Sequence, residues 1–127
     1  MAAPADIPFA DIEARVREDA RLVMSASVTT DKINQFIRDA YKDIIDKRPD
    51  GRIREDGTIM PHYLESSVTT LYGEMIEFIL SYVCYVKFRI RSMNKMEPNQ
   101  NKAAQSDWRE YMMTLGYHVP EPTTQGQ

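Results

Sequence analysis

The stretch Tyr72–Arg91, YGEMIEFILSYVCYVKFRIR, decides the fold. Met75, Ile76, Phe78, Ile79, Leu80, Tyr82, Val83, Val86 and Phe88 cover most of the surface of a helix drawn through it. What remains is one narrow stripe of Glu74, Glu77, Ser81, Cys84, Lys87 and Arg91, three or four residues apart. A helix apolar almost all round needs covering on several sides. A membrane span fails on length: the uncharged run Phe78–Val86 is nine residues, against roughly 20 needed to cross a bilayer. The stretch therefore predicts the core helix of a small bundle.

Working outward, the segment DKINQFIRDAYKDIIDKR is the cleanest helix in the chain. Ile33, Phe36, Ile37, Ala40, Tyr41, Ile44 and Ile45 form one stripe, and the residues between them are polar. Thr29 or Thr30 is positioned to cap it, Asp31 opens it, and Lys47 and Arg48 close it, as the helix dipole prefers. Pro49 pushes Arg48 out of helical geometry, and Asp50-Gly51 turns the chain. Upstream, Phe9, Ile12, Val16, Ala20 and Val23 share helical spacing, and Ser25 to Thr30 breaks that pattern. Downstream, SMNKMEPNQN forces a turn. A last helix is predicted from Gln100 to Leu115, lined by Ala104, Trp108, Tyr111, Met112 and Leu115, with Gly116 as its C-cap.

Residues 52 to 71 differ in character. Arg52-Ile53-Arg54 and Thr58-Ile59-Met60 alternate polar and apolar around Glu55-Asp56-Gly57, a short hairpin signal. Two short strands are marginal alone and need support. The expected fold is therefore all-α. It is a small bundle of four helices within residues 9–116, with a short β-hairpin or extended arm at 52–70 between helices two and three. A loose arm at 1–8 precedes it, and an extended tail, YHVPEPTTQGQ, occupies 117–127.

The chain has 127 residues, 43% hydrophobic and 28% charged, which suits one ordinary globular domain. A net charge of -3 implies no overall basic field. Cys84 alone makes no internal disulfide and reads as packing rather than catalysis. The opening MAAPADIPFADIEARV lacks the basic and apolar regions of a secretory signal.

Catalytic constellations are missing. His62 and His118 lie far apart and outside any HExxH, CxxC or ExxH pattern, so no metal or other cofactor is expected. Glu74 and Glu77 share a face, but di-metal bundles draw Glu and His from several helices, so a solvated stripe is the preferred reading. Lys87, Arg89, Arg91 and Lys95 gather at a helix end, where cations suit the dipole better than they suggest a phosphate-contacting patch. Met113 and Tyr117 fall off the stripe of the last helix and are candidates to face a partner.

Two stretches carry a resemblance. DKINQFIRDAYKDIIDKRPDG at 31–51, and the region from Leu71 to Gly116, are similar to the head-to-tail adaptor proteins of tailed bacteriophages, the portal-associated connectors. The shared features are Asp31 and Asn34, Arg48-Pro49-Asp50, Ser81-Tyr82-Val83-Cys84-Tyr85, Asn101 with Ala103 and Ala104, and Leu115-Gly116. Val86 and Lys87 stand where the family usually has an arginine after the second tyrosine.

The resemblance implies a non-enzymatic structural virion protein. It would form a ring, typically a dodecamer, below the portal protein and join it to a tail or nozzle protein. Its place would be the head–tail interface of the virion, reached from the host cytoplasm during assembly, with no membrane and with DNA at most passing through the lumen. Contacts would come from termini and inter-helix loops. The expected interface residues are Arg52, Arg54, Glu55, Asp56, Ile59, His62, Tyr63, Met113, Tyr117, His118, Val119 and Pro120. Residues 52–70 and 117–127 would then order only on assembly. The alternative is a small helical regulator binding DNA or a protein partner.

Overall fold

A computed structural model describes residues 5–19, 22, 27–54, 56–93 and 98–119. Among these, four α-helices form: α1 (Phe9–Arg17), α2 (Thr30–Lys47), α3 (Ile79–Met93) and α4 (Pro98–Thr114). Two two-residue strands, β1 (Ile7–Pro8) and β2 (Thr70–Leu71), pair antiparallel with Ile7 opposite Leu71. The chain is a small helical bundle with a short β element, as expected.

Helix α2 follows its sequence signals closely. Thr29 is the cap, its Oγ1 accepting from the Lys32 amide at 3.2 Å, which satisfies one orphan donor of the first turn. All seven residues of its apolar stripe are buried. The helix stops at Lys47, one residue before Arg48-Pro49, because the proline ring excludes helical geometry at Arg48.

Helix α4 opens on Pro98, where the missing amide costs nothing. It closes in a Schellman turn. Gly116 takes φ +92°, its amide donates to Met113 O at 3.0 Å, and the Tyr117 amide donates to Met112 O at 3.1 Å. Arg48 Nη1 donates to Leu115 O at 3.0 Å, and Tyr117 OH donates to Lys47 O at 3.0 Å. The last turns of α2 and α4 therefore satisfy each other's carbonyls.

Four expectations need correction. First, α1 ends at Arg17 rather than near Val23, because Asp19 leaves the helix to pair with cations on α3; Ala20 and Val23 lie outside the described residues. Second, residues 7 and 8 are not loose: Ile7 is buried and Pro8 pairs with Thr70. Residues 1–4 of that arm lie outside the description.

Third, Gly73–Phe78 forms a 3-10 helix before α3 begins. At three residues per turn Met75 and Phe78 stack on the inner side. Ile76 is thereby turned outward and is 60% exposed. Fourth, the polar stripe is only partly solvated. Glu77 is exposed as expected and Glu74 is half-buried, whereas Ser81, Cys84 and Arg91 are buried.

The α3 part of the stripe is buried because α4 covers it. Ser81 Oγ meets Thr114 Oγ1 at 2.7 Å near the start of α3. At the other end, Arg91 Nε donates to Asp107 Oδ2 at 2.7 Å, Nη1 to Gln100 at 3.2 Å and Nη2 to Asp19 Oδ2 at 3.0 Å. Lys87 Nζ adds a 3.0 Å pair to the same Asp19 oxygen. Two cations face two carboxylates, and Arg91 is 2% exposed. Burial lifts the Asp107 carboxyl above the usual carboxylate range, against the opposing pull of Arg91 and Lys87.

Aromatic packing fills the seam between these ends. Tyr85, Phe88, Trp108 and Tyr111 form a chain of tilted and edge-on rings. Tyr111 OH donates to Asp43 on α2, and Arg89 Nη1 donates to Asp39 at 2.9 Å while its guanidinium lies over Phe36.

Replacing Arg91 with Ala leaves buried Asp107 and half-buried Asp19 short of a partner and is expected to destabilise the fold by about 3–5 kcal/mol. Urea unfolding checks this. Cys84 is buried and its thiol is pushed up to about 12 by desolvation. At pH 8 it is therefore a neutral thiol, and a disulfide reagent should label it only after denaturation.

Candidate interaction surface

The arm at 53–60 is built from a single antiparallel bridge, Ile53 opposite Ile59. Backbone bonds flank it: Arg54 N to Thr58 O at 2.7 Å and Met60 N to Arg52 O at 2.8 Å. Gly57 supplies φ +85° at the turn. Asp56 Oδ1 accepts from the Thr58 amide and hydroxyl, which hold its carboxyl below the usual range. The hairpin signal was correct in place but is realised as one bridge rather than two strands.

The arm is not a free appendage. Met60 is wholly buried and Leu64 nearly so. Arg52 donates twice to Met60 O, at 3.2 and 3.0 Å. Arg54 pairs with Glu74 at 3.3 Å and lies 4.8 Å from the centre of the Tyr72 ring. His62 Nε2 bonds Asp46, holding that carboxyl low. Segment 52–70 is therefore anchored on its own chain.

The proposed interface residues divide accordingly. Arg52, Arg54, Asp56 and His62 spend their polar groups inside the chain. Ile59 and Tyr63 are 66% and 60% exposed. Met113, Tyr117 and His118 are exposed, and Val119 is half-buried with its carbonyl accepting from Arg109 Nε at 3.2 Å. Glu55 and Pro120 lie outside the described residues.

Four exposed apolar side chains were missed by sequence reasoning: Ile53 at 63%, Ile76 at 60%, Leu80 at 54% and Met93 at 40%. Ile53 and Ile59 are bridge partners, so they share one face. Leu80 and Met113 also belong together. The pairs Ser81–Thr114 and Arg91–Asp107 show that α3 and α4 run antiparallel. On antiparallel helices, the residue before each member of a facing pair falls on the same side of the seam. Those residues are Leu80 and Met113, both largely exposed.

The basic cluster supports no phosphate patch. Lys87, Arg89 and Arg91 all pair with aspartates, and Lys95 lies outside the description. No group of three or more His, Cys, Asp or Glu suited to a metal occurs among the described residues. No helix among them is long and apolar enough to cross a membrane. No family model, curated protein or solved structure matches the chain.

Met60→Ala should cost about 2–5 kcal/mol, because it opens a cavity beneath the arm. Ile59→Lys, on the outer face of the same arm, should change stability by less than about 0.5 kcal/mol. Thermal melts of the two variants test whether the arm is part of the folded body.

Proposed function

We propose that this chain is a structural virion protein, a head-to-tail adaptor that forms a ring below a portal protein and joins it to a tail or nozzle protein. One observation carries the reading: apolar side chains stand outward in adjacent pairs while the polar groups around them are consumed internally. Ile53 with Ile59, and Leu80 with Met113, are such pairs. Scattered exposed apolar residues are ordinary, but paired ones flanked by satisfied polar groups favour a protein partner. The resemblance of residues 31–51 and 71–116 to portal-associated connectors supplies the class of partner.

A regulator that binds DNA is less well supported. It needs cations free to meet phosphates, whereas Lys87, Arg89 and Arg91 are engaged by Asp19, Asp39 and Asp107.

Purified chain mixed with its portal protein should yield rings visible by electron microscopy. Leu80→Glu combined with Met113→Glu should abolish ring formation while moving the stability of the isolated chain by less than about 1 kcal/mol, since both sites are exposed. Absence of any ring or portal complex with the unaltered protein would sink the adaptor reading.

A further inference from the structure

We propose that the face around Leu80 and Met113 docks a helix of another protein, one that carries an apolar side chain between two cations about two turns apart. The proposal rests on the adaptor reading above and names the chemistry of the partner at one of its faces.

The face has a local symmetry. Ser81 Oγ and Thr114 Oγ1 meet across the α3–α4 seam at 2.7 Å. Leu80 and Met113 precede that pair by one residue, and Glu77 and Glu110 precede it by four. On antiparallel helices, equal steps back from a facing pair stay on the same side of the seam and move apart along it. Leu80 and Met113 therefore sit between the two carboxylates, which are separated along the seam by about 12 Å at the rise of an α-helix. All four side chains are exposed.

Charge decides the occupant. Among the described residues, neither Glu77 nor Glu110 has an ion-pair partner. The cations nearby are already engaged. Arg48, whose guanidinium feels Glu77, is held by Asp50 and by Leu115 O. Lys87 is held by Asp19, and Arg109 donates to Val119 O. The face thus presents apolar area bracketed by two unmatched negative charges. Phosphate backbones and anionic lipid headgroups are repelled by it. A protein surface with cations outside an apolar centre matches it.

Shape argues for a helix. Two antiparallel helices leave a furrow along their seam in which a third can lie. A span of about 12 Å is roughly two turns, so cations seven residues apart on a partner helix reach both glutamates, and the apolar residue between them meets Leu80 and Met113. A second copy does not supply this pattern. Among the described residues, the large apolar side chains exposed on the chain's own α-helices are Leu80, Met93 and Met113. The first and last are the face itself, and Met93 follows Arg89, which Asp39 holds.

A fluorescent helical peptide of leucine and lysine with that spacing is titrated into the full chain, beside a counterpart with glutamate in place of lysine. Saturable, salt-sensitive binding of the lysine peptide is expected, tighter than the glutamate peptide by about tenfold or more. Glu77→Lys combined with Glu110→Lys should weaken the lysine peptide about tenfold, as should Leu80→Ala combined with Met113→Ala. Glu18→Lys combined with Glu65→Lys changes the net charge equally at exposed sites elsewhere, and should leave binding within about twofold. No saturable binding of the lysine peptide, or equal weakening by the two charge reversals, overturns the proposal. The replaced side chains are exposed, so thermal melts of these variants should match that of the unaltered chain.

Reaction of a Met113→Cys thiol with a maleimide separates the other occupants. Its rate is expected to be independent of dilution and of removal of residues 120–127. A rate that rises on dilution gives the face to a second copy, and one that rises on tail removal gives it to the chain's own tail; either overturns the proposal. Rings that form with portal despite Glu77→Lys and Glu110→Lys would remove this docking chemistry and leave the adaptor reading standing. Lysine-peptide binding that the same charge reversals abolish, without any portal association, would do the reverse.

Discussion

The Arg91 guanidinium is the constraint on which the bundle depends. It is buried, and its three nitrogens reach Asp19 after α1, Asp107 in α4 and Gln100 at the start of α4. A buried charge is tolerated only if its hydrogen-bonding capacity is filled. Three segments must therefore converge on one side chain. Hydrophobic burial alone would allow α4 to slide or rotate along α3, since Leu, Met and aromatic contacts are adaptable. The guanidinium fork is not adaptable. It fixes where α4 begins against α3 and where the chain leaving α1 is pinned.

That fixed register has a consequence at the other end of the seam. With Asp107 locked to Arg91, Thr114 falls opposite Ser81, and Leu80 and Met113 emerge on one side. The 3-10 helix before α3 shifts the phase again and turns Ile76 outward while Met75 and Phe78 go in. The polar stripe of α3 faces inward and part of its apolar surface faces outward. In an isolated subunit this inversion costs hydrophobic free energy. It is a sensible arrangement if the apolar end is covered by another chain.

How much of this was legible depended on whether the signals were local. In α2 the cap at Thr29, the seven-residue stripe and the Arg48-Pro49 stop all agree, and such consistency makes a segment readable from sequence. Gly116 and Gly57 were readable for the same reason, because their positive φ values are demanded by the turns themselves. Arg91 was not. At the end of a helix it looks like a dipole-satisfying cation, and its partners lie 16 and 72 residues away. Asp107 sits in a polar-looking helix, and nothing in its neighbourhood marks it as buried. The β1–β2 pair was hidden because two residues carry no periodicity. On the arm, the alternation of Arg52-Ile53-Arg54 located the bridge but did not say which face meets the body. That face is set by Met60 and Glu74, which receive the arginines and leave the isoleucines outside.

The anchored arm changes what the proposed assembly would require of the chain. A disordered arm that folds on binding loses affinity to the entropy of ordering it. Here Met60, Leu64, Arg52 and Arg54 have already met that cost within the subunit. In the adaptor proposed above, a partner would meet a preformed face, Ile53 and Ile59 on the bridge. In a ring of many copies, each interface need only be modest, because closure makes every contact support its neighbours. Preformed faces favour fidelity in such a system: a rigid arm accepts one geometry of its neighbour, and a ring closes only if each subunit repeats the same angle. The Arg91 cluster at one end of the bundle and the arm anchored by Glu74 near the other would hold that angle constant from subunit to subunit.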